Sequence, residues 1–180
     1  MRIISLFLLI CLSACFNNNS DSSISGMLKQ DNNNSESITG LLKTKHGDLK
    51  IKFYPGKAPQ TVKRITHLAN KKFFDGIQFH RVIPNFVVQA GDPTGTGMGG
   101  SGTKIKAEFN DLKHTKGIVA MARAAHDNDS ADSQFYIALN TLPHLDKKYT
   151  IFGKVIDGIE ILDQIKKGDQ IISFTTDTTK

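Results

Sequence analysis

Two periods of apolar and polar residues run along this chain, and the switches between them lay out its elements. Leu41–Lys45 and Asp48–Tyr54 alternate residue by residue around His46-Gly47, the pattern of two half-buried strands joined by a tight turn. Pro55–Pro59 interrupts that pattern. From Ala58 to Lys71 the apolar residues Val62, Ile65, Leu68 and Ala69 fall at helical spacing, which predicts a helix with one face on a core. Asp75-Gly76 marks a turn, and strand-like runs follow at Ile77–Ile83, Phe86–Ala90, Gly117–Arg123, Gln134–Leu139 and Thr150–Ile156. Gly158–Lys167, carrying Ile159, Ile161, Leu162 and Ile165, predicts a second helix, and Ile171–Thr175 a last strand. Many strands with only two helices favour a mainly β fold, a closed antiparallel barrel, over a parallel sheet. Side chains fill the interior of a small barrel, so function is expected on its outer face.

Composition changes the picture at the N-terminus. The chain has 180 residues, 39% hydrophobic and 22% charged, which suits one globular domain with a further segment. Arg2 followed by the apolar run Ile3–Leu12 reads as an export signal, too short to span a bilayer as a mature helix. Leu12-Ser13-Ala14-Cys15 resembles the lipobox of bacterial lipoproteins, in which the chain is cut before a cysteine that is then lipidated. An ordinary small-residue cleavage site with an incidental cysteine is the other reading. The expectation is a signal peptide over 1–14 and a lipidated Cys15 heading a flexible Asn/Ser-rich tether over 15–39. The folded domain then occupies 40–180. Cys11 leaves with such a signal, so one cysteine remains and no intrachain disulfide is available.

The net charge of +6 raises the possibility of a nucleic-acid partner. The doublets Lys71-Lys72, Lys147-Lys148 and Lys166-Lys167 are scattered rather than striped, and an exported protein seldom meets nucleic acid, so none is expected. An anionic lipid surface suits the sign better.

Polar residues inside strand-like runs carry the candidate chemistry. In Phe79-His80-Arg81-Val82-Ile83-Pro84-Asn85-Phe86-Val87-Val88-Gln89-Ala90-Gly91-Asp92 the period of two puts Arg81 beside Phe79 and Ile83, and Gln89 beside Val87. Taken alone, Arg81 is read equally well as an edge-strand arginine reaching for water or as a fixed donor on an apolar surface. Gly117–Arg123 and Ser133–Leu139 have the same character, with Gln134 and Tyr136 on one face.

These runs, FHRVIPNFVVQAGD, GIVAMAR, SQFYI and YTIFGKV, lie in family order at family-like spacing, and the chain from Leu41 to Phe174 resembles the cyclophilin family of peptidyl-prolyl cis-trans isomerases. AMARA followed by SADSQFYI is most similar to the bacterial branch. The resemblance implies an eight-stranded barrel with a helix over each open end. It also implies isomerisation of X–Pro bonds with Arg81 as the catalytic donor. Phe86, Met121, Tyr136 and Leu145 are implied to form the proline pocket, Gln89 and Gln134 to hold the peptide or orient Arg81, and His144 and Tyr149 to complete the substrate-binding set. Tyr136 stands where the family usually has phenylalanine. His144 stands where many eukaryotic members have a tryptophan that packs on cyclosporin, so weak cyclosporin binding is expected. The expected substrates are proline-containing exported polypeptides, met by a monomer anchored to a bacterial envelope membrane and facing the periplasm. The competing reading is a proline-segment-binding chaperone or assembly module without turnover.

Other chemistries fit poorly. Gly95-Thr96-Gly97-Met98-Gly99-Gly100 matches G-x-G-x-x-G, but Ser101-Gly102-Thr103-Lys104 continues the loop where a dinucleotide site needs a helix. The better reading is a flexible loop beside the active site. Ser101-Gly102-Thr103-Lys104 also lacks the companion runs of an acylating serine enzyme. The six histidines show no H-x-x-x-H pair, so no metal is expected. Isomerisation makes and breaks no covalent bond, and no cofactor is expected either.

Overall fold

The computed structural model describes residues 37–179; the expected signal peptide, Cys15 and all of the tether before Ser37 lie outside the described residues. Eight antiparallel strands form one curled sheet: β1 (Ser37–Thr44), β2 (Gly47–Phe53), β3 (Arg81–Ile83), β4 (Val87–Ala90), β5 (Ile118–Met121), β6 (Phe135–Ala138), β7 (Ile151–Asp157) and β8 (Ile171–Thr179). Their order across the sheet is β3-β4-β6-β5-β7-β2-β1-β8. The edge strands β3 and β8 share no ladder. The curl brings the segment before β3 against the loop before β8: Gln78 bridges Gln170, the Phe79 N–H donates to Asp169 O at 2.8 Å, and Ile171 N–H donates to Ile77 O at 2.9 Å. The sheet is therefore a curled half-barrel with its edges linked through loops.

This arrangement corrects one expectation. A strand over Ile77–Ile83 places Phe79 and Arg81 on one face, but regular pairing begins only at Arg81. Phe79 uses its backbone on residues 168–169 and buries its ring in the interior, while Arg81 is exposed. Strand β1 also begins at Ser37, four residues ahead of the expected start and within the last residues assigned to the tether. It gains partners on both sides, β2 and β8.

Helix α1 (Pro59–Asn70) buries Thr61, Val62, Ile65, Leu68 and Ala69 and packs on β8. Ala58 offers its first turn no side-chain cap. Glu108, far along the chain, supplies it instead: its carboxylate accepts from Gln60 N, Thr61 N and the Thr61 hydroxyl at 2.8–2.9 Å. A carboxylate there answers both the orphan N–H groups and the positive end of the helix dipole. The expected second α-helix over 158–167 is a 3₁₀ helix, Ile159–Gln164, after which Ile165 is extended. Leu162 and Ile165 are buried and stand three apart, a spacing that also suits three residues per turn.

Two apolar layers lie on opposite faces of the sheet. The interior one gathers Phe53, Phe74, Phe79, Met121, Phe135, Ile137, Phe152 and Phe174 with the buried face of α1. At Gly40 an added Cβ would stand 2.8 Å from the Phe174 ring and 2.9 Å from that of Phe53, so the strand passes there only because the side chain is missing. The outer layer is smaller: Val87, Ile118, Ala120, Tyr136, Ala138, Leu142 and Ile151, with Phe86, Ala122, Leu145 and Tyr149 partly buried against it.

Candidate active site

Register decides which side chains meet on the outer face. Arg81 pairs with Gln89, Gln89 with Tyr136, Tyr136 with Ala120, and Ala120 with Ile151. One row of residues therefore crosses five strands with all its side chains on the same face. Four of the five come from the polar-in-apolar runs that the sequence singles out.

Along this row the polar groups form a directed chain. Arg81 Nη1 donates to Gln89 Oε1 at 3.2 Å, Gln89 Nε2 donates to Gln134 Oε1 at 2.9 Å, and Gln134 Nε2 donates to the carbonyls of Gly97 (3.0 Å) and Gly99 (2.8 Å). Among the described residues Gln89 is the one protein acceptor for the guanidinium, whose carbon also lies 5.4 Å from the Phe86 ring centre. A guanidinium held through one nitrogen, over an aromatic face, keeps further N–H groups for a ligand.

The loop that receives this chain lies beside the cleft as expected, and it is tied down. Asp92, 1% exposed, accepts through Oδ2 from Gly97 N (2.6 Å) and Gly99 N (3.1 Å) and through Oδ1 from Thr94 N (2.7 Å) and the Thr94 hydroxyl (2.8 Å). Burial alone would push its carboxyl up, but these donors outweigh it and hold Asp92 well below the usual carboxylate range. Just before it, Gly91 has φ +94°, and a Cβ there would sit 2.3 Å from Ser133 O. Only glycine lets the backbone turn so close to the segment Ser133-Gln134 that leads into β6.

A cleft of about 170 Å³ opens next to the guanidinium, lined by Arg81, Phe86, Val87, Gln89, Ala122, Arg123, Tyr136, Leu145 and Tyr149. A larger recess of about 450 Å³ adjoins it, sharing Gln89, Ala122 and Arg123 and adding Gln134, Lys104 and Asp132. Tyr149 meets Tyr136 edge-on, with ring centres 5.7 Å apart, and Arg123 lies 4.8 Å over the Tyr149 ring.

Behind the cleft wall stands a second polar chain. The Tyr136 hydroxyl is 2.9 Å from His114 Nε2, and His114 Nδ1 is 3.0 Å from Asp146 Oδ1, which also accepts from His114 N at 2.9 Å. Lys113 Nζ lies 3.2 Å from Asp146 Oδ2. Burial pushes the Tyr136 hydroxyl up and the wholly buried His114 imidazole down, so both are neutral near pH 7. Asp146 is held at about 2, chiefly by the His114 backbone N–H against the cost of burial.

The structure thus brings Arg81, Phe86, Gln89, Tyr136, Leu145 and Tyr149 around one cleft, with Gln134 beside it. Two assigned residues stand elsewhere. Met121 is 2% exposed in the interior layer and does not line the cleft. Its neighbour Ala122 does, because in an extended chain adjacent residues face opposite ways. His144 is exposed and stacks on the outer side of Phe86, with ring centres 5.8 Å apart and planes 12° from parallel. Sequence reasoning missed Ala122 and Arg123 as lining residues and His114 as the partner of Tyr136. Val87 was flagged by its shared face with Gln89 but given no role. Among the described residues no three His, Cys, Asp or Glu side chains converge as a metal site.

Residues 40–179 match the family model for cyclophilin type peptidyl-prolyl cis-trans isomerases. The chain belongs to that family. Among its curated relatives are a peptidyl-prolyl cis-trans isomerase of Helicobacter pylori, 44% identical over 73% of this chain and 82% of the relative, and isomerase B of Bacillus subtilis, 44% identical over 67% and 85%. A crystal structure of a Cryptosporidium parvum cyclophilin, 32% identical, covers 78% of this chain and 99% of its own with a TM-score of 0.73. A cyclophilin of Hirschia baltica, 20% identical, shares the fold at a TM-score of 0.69 over 77% of this chain and 76% of its own. This cyclophilin is accordingly a peptidyl-prolyl cis-trans isomerase.

Proposed function

We propose that the cleft beside Arg81 is where this cyclophilin rotates X–Pro bonds, with Arg81 as the catalytic donor. The barrier to that rotation, about 18–20 kcal/mol, comes from amide resonance. A twisted amide gives the prolyl nitrogen back a lone pair, and a donor placed there favours the twisted form over either planar one. A guanidinium is a charged, rigid fork of donors, and that of Arg81 is held at one end by Gln89, which Gln134 holds in turn. Phe86, Val87, Ala122, Tyr136, Leu145 and Tyr149 grip the proline ring while the flanking peptide turns.

The observation that carries this reading is the hydrogen-bonded chain from Arg81 through both glutamines to the loop at Gly97 and Gly99, which fixes a cation at the rim of an apolar cleft. The Cryptosporidium relative was crystallised in the presence of the dipeptide Ala-Pro, which supports the same class of ligand here. In a protease-free assay on a short X–Pro peptide, Arg81→Ala is expected to lower kcat/KM by roughly 10²–10³ with unchanged circular dichroism, the scale of one preorganised donor. Arg81→Lys recovers little, since an ammonium lacks the fork. Wild-type turnover in Arg81→Ala would refute the assignment.

The cellular setting rests on the sequence. Arg2, the apolar run to Leu12 and Leu12-Ser13-Ala14-Cys15 support a lipoprotein held in a bacterial envelope membrane, facing the periplasm as a monomer and assisting the folding of exported polypeptides. Cys15→Ser is expected to move the protein to the soluble envelope fraction or to stall its processing, because the thiol that would carry the lipid is gone; firm attachment takes more than one acyl chain. Fatty-acid labelling that persists in the variant would refute the anchor. The sheet itself we read as a barrel closed through the backbone bonds between residues 76–79 and 168–171.

A further inference from the structure

The cleft wall contains a hydroxyl that the chemistry above does not use. Tyr136 is 4% exposed, and its hydroxyl points away from bulk water to meet His114 Nε2 at 2.9 Å. His114 is wholly buried, and its other ring nitrogen faces a carboxylate, Asp146 Oδ1. A carboxylate accepts only, so Nδ1 carries the imidazole proton and Nε2 is left as an acceptor. The Tyr136 hydroxyl must therefore donate. The two rings lie nearly parallel, 15° apart with centres at 6.0 Å.

Asp146 does more than set that tautomer. It follows Leu145, a cleft residue, and terminates the 3₁₀ turn Pro143–Leu145 with its N–H on Pro143 O. One side of the cleft, Tyr136 on β6, and another, Leu145 on the turn, are thus fastened to the same imidazole–carboxylate pair.

We propose that His114 is a positioning residue for the proline-binding cleft: by accepting from Tyr136 while Asp146 holds its tautomer, it keeps the Tyr136 ring against the wall and out of the space the substrate enters. The proposal rests on reading the cleft as the proline site. Without the acceptor, a hydroxyl buried at this depth has no partner and moves toward water. Water lies on the cleft side, so the ring swings into the ligand's place. The guanidinium and the two glutamines are not part of this chain, so the rotation step itself is untouched.

The test is a set of variants in the full-length protein, assayed on an X–Pro peptide without protease. His114→Leu is expected to raise KM about tenfold with kcat within about twofold of wild type, the scale of one unmade buried hydrogen bond. Asp146 keeps its bond from the backbone N–H at 114 in that variant. Adding Tyr136→Phe removes the stranded hydroxyl and is expected to return KM to within about threefold of wild type. An unchanged KM in His114→Leu overturns the proposal. So does a double variant as impaired as the single, which would mean that His114 serves the fold alone. If His114→Leu does not fold, whether or not the double variant does, His114 serves the fold and the proposal is overturned. Arg81→Ala measured alongside keeps the two readings apart, because full activity there removes the site assignment, while a large loss there with an unmoved KM in His114→Leu removes only the role of His114.

Discussion

Strand β2 and strands β5 and β6 belong to one sheet but live in different surroundings. In β2 the burial alternates, with Leu49, Ile51 and Phe53 inward and Asp48, Lys50 and Lys52 toward water. In β5 and β6 every residue is buried, because the interior layer lies on one side and the outer layer on the other. The second covering distinguishes the working part of the sheet. It makes an apolar cleft on the outside of the sheet, where a peptide can reach it, and leaves the interior to hold the fold.

The separation predicts that changes on the two faces fall on different measurements. The largest effect belongs to the interior. Met121→Ala is expected to cost about 2–5 kcal/mol of stability, the usual range for truncating a buried methionine, read as a lower midpoint in urea. KM should not change. Its neighbour Ala122→Leu puts bulk into the cleft, and should raise KM while the urea midpoint barely moves. A KM shift in the first, or a stability loss without a KM shift in the second, breaks the comparison.

A smaller effect is expected at the rim. Tryptophan at position 144 would cover about 50–100 Å² more apolar surface than histidine, worth roughly 1–3 kcal/mol at about 25 cal/mol per Å². Cyclosporin should therefore inhibit His144→Trp one to two decades more tightly than the wild type. Since His144 stacks on the outer side of Phe86 and does not line the cleft, small proline peptides should turn over nearly alike in both. Equal, tight inhibition of the two proteins would show that the rim does not govern drug binding.

The smallest effect is a change of slope with pH. Asp146 titrates near 3.8 in the unfolded chain and at about 2 when folded, so the unfolded state binds the proton first. The stability this carboxylate contributes is complete above about pH 4 and is lost as pH falls toward 2. Asp146→Asn should shallow the acid limb of an unfolding titration across that window. Asp92 and Asp169, also held low, keep most of it. An unaltered limb would mean that Asp146 has the same affinity for protons folded and unfolded.

The same difference between the strands governed what could be read from the sequence. Where one face meets water, the alternation names the buried residues, and Leu49, Ile51 and Phe53 follow from it directly. Where both faces are covered, the run Gly117–Arg123 is apolar at nearly every position, and periodicity does not say whether Met121 or Ala122 faces the ligand. Met121 was implied by the family resemblance, and the structure instead puts its smaller neighbour Ala122 at the cleft. Arg81, Gln89, Gln134 and Tyr136 were legible because a polar group in an apolar strand must face something. His114 was not, since its carboxylate partner lies 32 residues away and no local pattern announces such a pair. The second helix is present with a tighter period than expected for a related reason, as apolar residues three apart fit 3.0 and 3.6 residues per turn over so short a span.

Strand β1, paired with β8 from Ser37 and with β2 from Thr39, has a mechanical consequence. Antiparallel ladder bonds lie perpendicular to the strand, so a force drawing on its N-terminal end loads two ladders in shear, many bonds at once, instead of unzipping them singly. A tether pulling there would meet the fold in its stiffest direction.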